Sequence, residues 1–254
     1  MNQPSRKKIL LSWLLEGIFL FLQLLTLFLF IPLPNSKKGN KNAFVIITDV
    51  ITSPILYIVL YLYLIKNQYR VYFYYSFNPL KNLNSHSLRL SRFLINIPEQ
   101  NLTLLGHGAG GLVPLSISDE ARKKVKKLIT LGTGYWGTQL FKYFDFIPLF
   151  RDLLPRSEYL TTYKMNALLY EEFYPFTPWF DEWIFPDTLL KFGQGRDIIL
   201  DIPGRLNLIL NLENIKTYLQ FFNQIHNTKL EKFPTKKIQN RNKEKKQKKI
   251  QKGL

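Results

Sequence analysis

Residues 101–118 read Asn101-Leu-Thr-Leu-Leu-Gly-His-Gly-Ala-Gly-Gly-Leu-Val-Pro-Leu-Ser-Ile-Ser118. The apolar Leu102–Leu105 run predicts a short buried strand. Gly106, Gly108, Gly110 and Gly111 predict a tight turn, and the apolar residues that follow predict the start of a helix. Working outward, the same alternation recurs. Ala43–Thr48, Val71–Tyr75, Lys127–Leu131, Phe173–Trp179 and Asp197–Ile202 are strand-length runs. Between them, Ile55–Asn67 and Ser85–Ile97 carry helical periodicity, and Asn211 is placed to cap a last helix reaching Gln224. Largely apolar, buried strands alternating with helices predict an α/β domain with a mostly parallel sheet covered on both faces.

The chain has 254 residues, no cysteine and three histidines, His86, His107 and His226. Thiolate chemistry and disulfides are excluded, a histidine-rich metal site is not expected, and no cofactor is implied. The net charge of +17 sits mainly at the ends. Residues 229–252 hold 11 Lys/Arg against Glu231 and Glu244, and residues 1–41 hold six against Glu16, so the body between carries only +3. A near-neutral body argues against a nucleic-acid groove.

Ile9 to Phe30 is a run of 22 residues, apolar apart from a few polar positions. As a helix it is about 33 Å long, enough for a membrane span. No small-residue cleavage site follows it, so the expectation is an uncleaved single-pass anchor formed by residues 1–41. Its flanks, Arg6/Lys7/Lys8 and Lys37/Lys38/Lys41, are equally basic and set no orientation. Ser12, Glu16, Gln23 and Thr26 share an arc of roughly 80°, a polar stripe that needs a partner. Residues 42–226 are then the α/β domain, and 227–254 a basic disordered tail with possible attraction to anionic lipid.

The turn at 106–111 is similar to the nucleophile elbow of α/β-hydrolase lipases and esterases, written G-x-S-x-G. The similarity extends over the body. Lys127-Leu-Ile-Thr-Leu-Gly-Thr-Gly-Tyr-Trp-Gly-Thr138 resembles the lipase stretch L-I-T-L-G-T-P-H-x-G-T. Asp152-Leu-Leu-Pro-Arg-Ser-Glu-Tyr-Leu160 resembles the following L-x-P-G-S-x-x-L segment, Asp181-Glu-Trp-Ile-Phe-Pro186 the acid loop, and Pro203-Gly-Arg-Leu206 the G-H-L segment. The order, elbow, acid, then histidine, is that of the hydrolases.

The resemblance implies an α/β-hydrolase fold and assigns positions. Gly108 stands at the nucleophile, Asp181 at the acid and Arg205 at the histidine. Thr48 and Asp49 stand where the family often has His-Gly, and Ala109 supplies the backbone donor of the oxyanion hole. Glycine offers no attacking atom and a guanidinium accepts no proton, so the expectation is an inactive, membrane-anchored protein serving as a lipid-binding or protein-interaction module. The alternative is an active carboxylic ester hydrolase with a non-standard nucleophile. Arg205 is expected to pair with Asp181 or Asp49. His107 is expected to be a packed elbow residue, and His86 to lie on a helix surface. Residues 135–185 hold 17 of the 38 aromatics, a density that suits a lid, an acyl-binding wall or a core under a long insertion. Gly106-x-Gly108-x-x-Gly111 also satisfies a dinucleotide fingerprint, but the next strand ends Thr130-Leu131-Gly132, without the acid that holds a ribose.

Overall fold

The computed structural model describes residues 6–26, 31–76 and 78–228. In chain order the elements are α1 (Arg6–Thr26), β1 (Ala43–Ile47), α2 (Ile58–Lys66), β2 (Arg70–Tyr74), α3 (Leu83–Asn96), β3 (Leu102–His107) and α4 (Asp119–Lys123). Then come β4 (Val125–Leu131), α5 (Pro148–Asp152), α6 (Glu158–Tyr163), β5 (Glu172–Phe180), β6 (Ile198–Pro203), α7 (Asn207–Leu210) and α8 (Leu212–Thr228). The six strands form one sheet in the order β2-β1-β3-β4-β5-β6, parallel throughout. Every residue of β1 and β3 is buried, which explains the unbroken apolar run of β1 and the leucines of β3.

Helix α3 shows how sequence sets the local structure. Asn82 caps it by accepting a hydrogen bond from the Ser85 amide, Leu83, Leu90 and Leu94 repeat at helical spacing into the core, and it stops at Ile97 because Pro98 follows. His86 falls on the same inward face and is fully buried, its Nε2 3.0 Å from the Asn78 carbonyl, so the surface position expected for it is wrong. Periodicity outweighed the polarity of a single imidazole.

The helix expected after the turn does not form. Residues 108–111 and 113–116 are two separate 3-10 turns, broken because glycines do not sustain a helix and Pro114 supplies no amide hydrogen. In β5, Pro178 likewise has no hydrogen to give, and the β5/β6 register shifts between Pro178 and Phe180.

One compact unit of the chain ends at Ile215 and a second begins at Lys216. Helix α1 belongs to the first and packs on β6 and α7. No helix among the described residues is long and apolar enough to cross a membrane. The expected single-pass span therefore has no counterpart there. Its last residues, 27–30, lie outside the described residues, as do residues 229–254 of the expected basic tail.

Candidate functional site

Strand order reverses between β1 and β3, and at such a switch point the loops beyond the strand carboxyl ends part to leave a crevice. Asp49 follows β1 and Gly108 follows β3, so both enter that crevice. Gly108 has φ +54°, the left-handed region in which the elbow holds its central residue. The turn is tight elsewhere too: a Cβ on Gly110 would meet the Thr48 carbonyl oxygen at 2.5 Å. Thr133 Oγ1 donates to the Gly108 carbonyl at 2.9 Å and pins the turn to the end of β4.

The space above Gly108 is filled by charge. A Cβ there would meet the Asp49 carboxyl carbon at 2.5 Å and Arg205 Nη1 at 2.8 Å. Asp49 Oδ1 accepts from the amides of Val50 at 2.8 Å and Ala109 at 3.0 Å. These are donors of the kind that bind the oxyanion in a hydrolase, one after the nucleophile position and one from the loop after an early strand. Here a carboxylate of the chain itself takes both. Asp49 Oδ2 accepts from Arg205 Nη1 at 2.7 Å. The same guanidinium clasps Asp181 in a two-point pair, Nε to Oδ2 at 3.1 Å and Nη2 to Oδ1 at 3.2 Å. Arg205 thus pairs with both acids. Thr48 is buried but turned away, its carbonyl and hydroxyl engaged with Ser76.

Burial lowers the pKa of Arg205, but Asp181, Asp49 and Glu182 more than reverse that and leave it above the ordinary arginine value. It holds its proton and serves as a fixed cation. Burial raises the pKa of Asp181, and Arg205 only partly offsets this. Glu182 is also raised, by burial and then by Asp181.

His107 is completely buried behind the turn. Its Nε2 lies 3.2 Å from the Arg205 carbonyl, which can only accept, so Nε2 carries the hydrogen. Nδ1 then accepts from the Tyr57 hydroxyl at 2.8 Å, and Tyr57 Oη in turn accepts from the Asp49 amide at 2.7 Å. Burial pushes the His107 pKa down to about 4. A base whose folded pKa is depressed contributes stability that is complete above its unfolded value, near 6.5, and is lost as pH falls from there towards 4. The raised carboxyls act in the opposite sense. Comparing urea unfolding of the native chain with His107→Gln at pH 7.5 and 4.5 isolates this group. The native chain is expected to lose about 2–3 kcal/mol more than the variant between those values. Equal losses would show that His107 is not held neutral.

Beside Gly108 lies a narrow, largely filled slot of about 30 Å³ that is open to solvent. Asp49, Arg205 and Ala109 form its polar end, and Leu112, Phe141, Leu149, Phe150, Leu153 and Ile184 its apolar walls. Phe141 stacks on Phe150 at 4.3 Å between ring centroids. Trp183 also lines the slot, and its Nε1 has no hydrogen-bond partner among the described residues. Part of the aromatic-rich segment 135–185 is therefore cavity wall, and part is core, as with Tyr135 against Phe173 and Phe192. No group of acidic and imidazole side chains suited to a metal ion occurs among the described residues.

Three participants escaped the sequence. Tyr57 reads as one more apolar helix residue, and Glu182 as a neighbour of the acid. Glu16 left a signal in its polar stripe, but nothing in the sequence named its partner. That carboxyl accepts from the amides of Leu206 and Asn207, both at 2.8 Å, directly after Arg205. Burial, then Glu182, raises its pKa to about 8.

No protein-family model and no curated protein matches the sequence significantly. Solved structures do match. An α/β hydrolase from the metagenome of Mar Chica lagoon sediments in Morocco is 17% identical, with a TM-score of 0.53 over 75% of this chain and 94% of that one. A Bacillus licheniformis lipase in its mature form is 16% identical, with 0.55 over 76% and 94%. The enol-lactonase of Burkholderia xenovorans is 12% identical, with 0.52 over 73% and 92%. The six-stranded parallel sheet flanked by helices agrees with these likenesses: the chain has the α/β-hydrolase fold found in bacterial lipases and esterases.

Proposed function

We propose that this chain is a hydrolase-fold protein that no longer cleaves esters and that binds an acyl-bearing lipid in the slot beside Gly108, held at a membrane by its N-terminal segment. The single observation that carries the reading is Asp49. Its carboxylate accepts from both amides that would stabilise an oxyanion and closes an ion pair with Arg205 over a residue that has no side chain. Acyl transfer needs a nucleophile, a proton acceptor and free donors for the developing charge, and each of these three positions is otherwise employed. Support for the binding role comes from the apolar walls of the slot.

The experiment has two arms. Incubated with short- and medium-chain aryl esters and a serine-directed phosphonate probe, the purified protein is expected to show no turnover above a heat-denatured control and no stoichiometric labelling. A fluorescent fatty-acid probe is expected to bind saturably, to survive Asp181→Asn and to weaken about tenfold or more in Phe141→Asp, which puts a charge into the apolar wall. Turnover or labelling would establish the second reading, an active carboxylic ester hydrolase with an unusual nucleophile. That reading is favoured by the company of lipases and esterases among the similar structures. Absence of saturable probe binding would remove the lipid-binding role and leave protein interaction.

A further inference from the structure

Helix α1 is amphipathic in the reverse of the usual sense. Its polar residues Ser12, Glu16 and Gln23 are buried against the body, while Leu10, Leu14, Ile18, Phe21, Leu24 and Leu25 on the opposite side are 47–73% exposed. At 100° per residue the exposed apolar set spans about 120°, a third of the circumference, roughly opposite the buried stripe. The attachment is specific and extended. Besides the Glu16 clasp, the Ser12 carbonyl accepts from Asn207 Nδ2 and Gln23 Nε2 donates to the Ile51 carbonyl, both at 3.0 Å. Trp13 packs on Phe180 with ring centroids 5.0 Å apart. From Ser12 to Gln23 the anchored length is about 16 Å. Asn207, Ile51 and Phe180 all lie at or beyond strand carboxyl ends, so α1 is draped along the edge of the sheet that carries the site.

We propose that α1 lies flat in the surface of an anionic bilayer, its apolar side among the acyl chains and its polar side fastened to the body, so that the slot beside Gly108 opens towards the lipid. The proposal rests on the membrane attachment put forward above and says how that attachment is made. A helix held along this much of its length by a polar seam cannot stand across the hydrocarbon core without drawing the body in with it. Charge complementarity selects the lipid. The helix begins Arg6-Lys7-Lys8, and exposed Lys37, Lys38 and Lys41 follow it, while its middle offers solvent no ionisable side chain among the described residues. Basic ends around an apolar centre suit headgroups around a hydrocarbon interior. The slot itself joins the two: Ile51, held by Gln23, forms one part of its lining and Phe141 another. Next to Phe141, Tyr143 and Phe146 are 84% and 76% exposed, rings that would enter the same interface.

The chain contains no cysteine, which gives a clean test on the full-length protein. Ser5→Cys and Asn40→Cys, at the two ends of the segment, are reconstituted separately into vesicles of phosphatidylcholine and phosphatidylglycerol and exposed to a membrane-impermeant maleimide. An in-plane helix places both cysteines on the body's side, so both label in intact vesicles in proportion to an exposed body control, Asp119→Cys. In addition, Phe21→Glu is expected to lower partition onto these vesicles about tenfold or more, and the native chain to bind less at high salt. If one end labels with the body and the other only after detergent, the helix spans the bilayer: the in-plane arrangement is then wrong while membrane attachment stands. If the native chain does not associate with vesicles at any salt, or associates as well in Phe21→Glu, the proposal falls, in the first case together with membrane attachment. Dimerisation abolished by Phe21→Glu, without vesicle binding, would assign the face to a second copy instead.

Discussion

Restoring serine at position 108 is expected to damage the protein rather than to awaken it. The new Cβ must occupy space held by the Asp49 carboxyl and Arg205 Nη1 while the backbone sits at φ +54°. Left-handed backbone strain costs a residue with a Cβ on the order of 1–3 kcal/mol, and overpacking adds a similar amount. Gly108→Ser should therefore lose about 2–5 kcal/mol in urea or thermal unfolding and show no ester turnover. A serine that folds without penalty and reacts with a phosphonate would mean that Asp49 swings aside easily, and the closed site would have to be rethought as a resting state.

Arg205→Met is expected to be worse. Methionine roughly matches the stem of arginine but removes the one cation between Asp49 and Asp181, which stand 1–2% exposed. Breaking a buried ion pair by deleting one partner costs about 3–5 kcal/mol, because the remaining charge is left uncompensated. The sign of the pH dependence identifies the cause. Asp181 is already raised by burial, and loss of Arg205 raises it further. A carboxyl whose folded pKa exceeds its unfolded one destabilises once it must ionise in the fold. The variant should therefore be least stable at neutral pH and recover as pH falls through the folded value, until His107 begins to oppose the gain. Urea midpoints from pH 7.5 to 5 would test this. A deficit that does not change with pH would point to lost packing rather than stranded charge.

The sheet was legible because burial enriches its central strands in aliphatic residues: Ala43–Ile47 is apolar throughout, while Leu102–His107 carries three leucines and Val125–Leu131 four aliphatic residues. The turn at 106–111 was legible because only glycine tolerates its backbone approach. Asp181 and Arg205 could be assigned to their loops by resemblance, and their chemistry forecast their pairing. What sequence could not convey was direction. Whether Asp49 faces the crevice or solvent depends on a side-chain rotation, and the consequence, a filled oxyanion position, follows only from the inward choice. The contacts of the N-terminal segment were hidden for a related reason. Mean hydropathy counts Leu and Phe but not the side on which they lie, so it gave no sign that Ser12, Glu16 and Gln23 are buried against the body.

The grip of Glu16 on the Leu206 and Asn207 amides has a practical bearing on anyone preparing this protein. Trimming residues 1–26 to improve solubility would strip the donors at the start of α7 of their acceptor and uncover the loop that aims Arg205, since a side chain from α1 fills the space beside Gly204. A shortened chain is thus a different molecule at its own centre, and a negative binding result obtained with it would report on the scissors rather than on the slot.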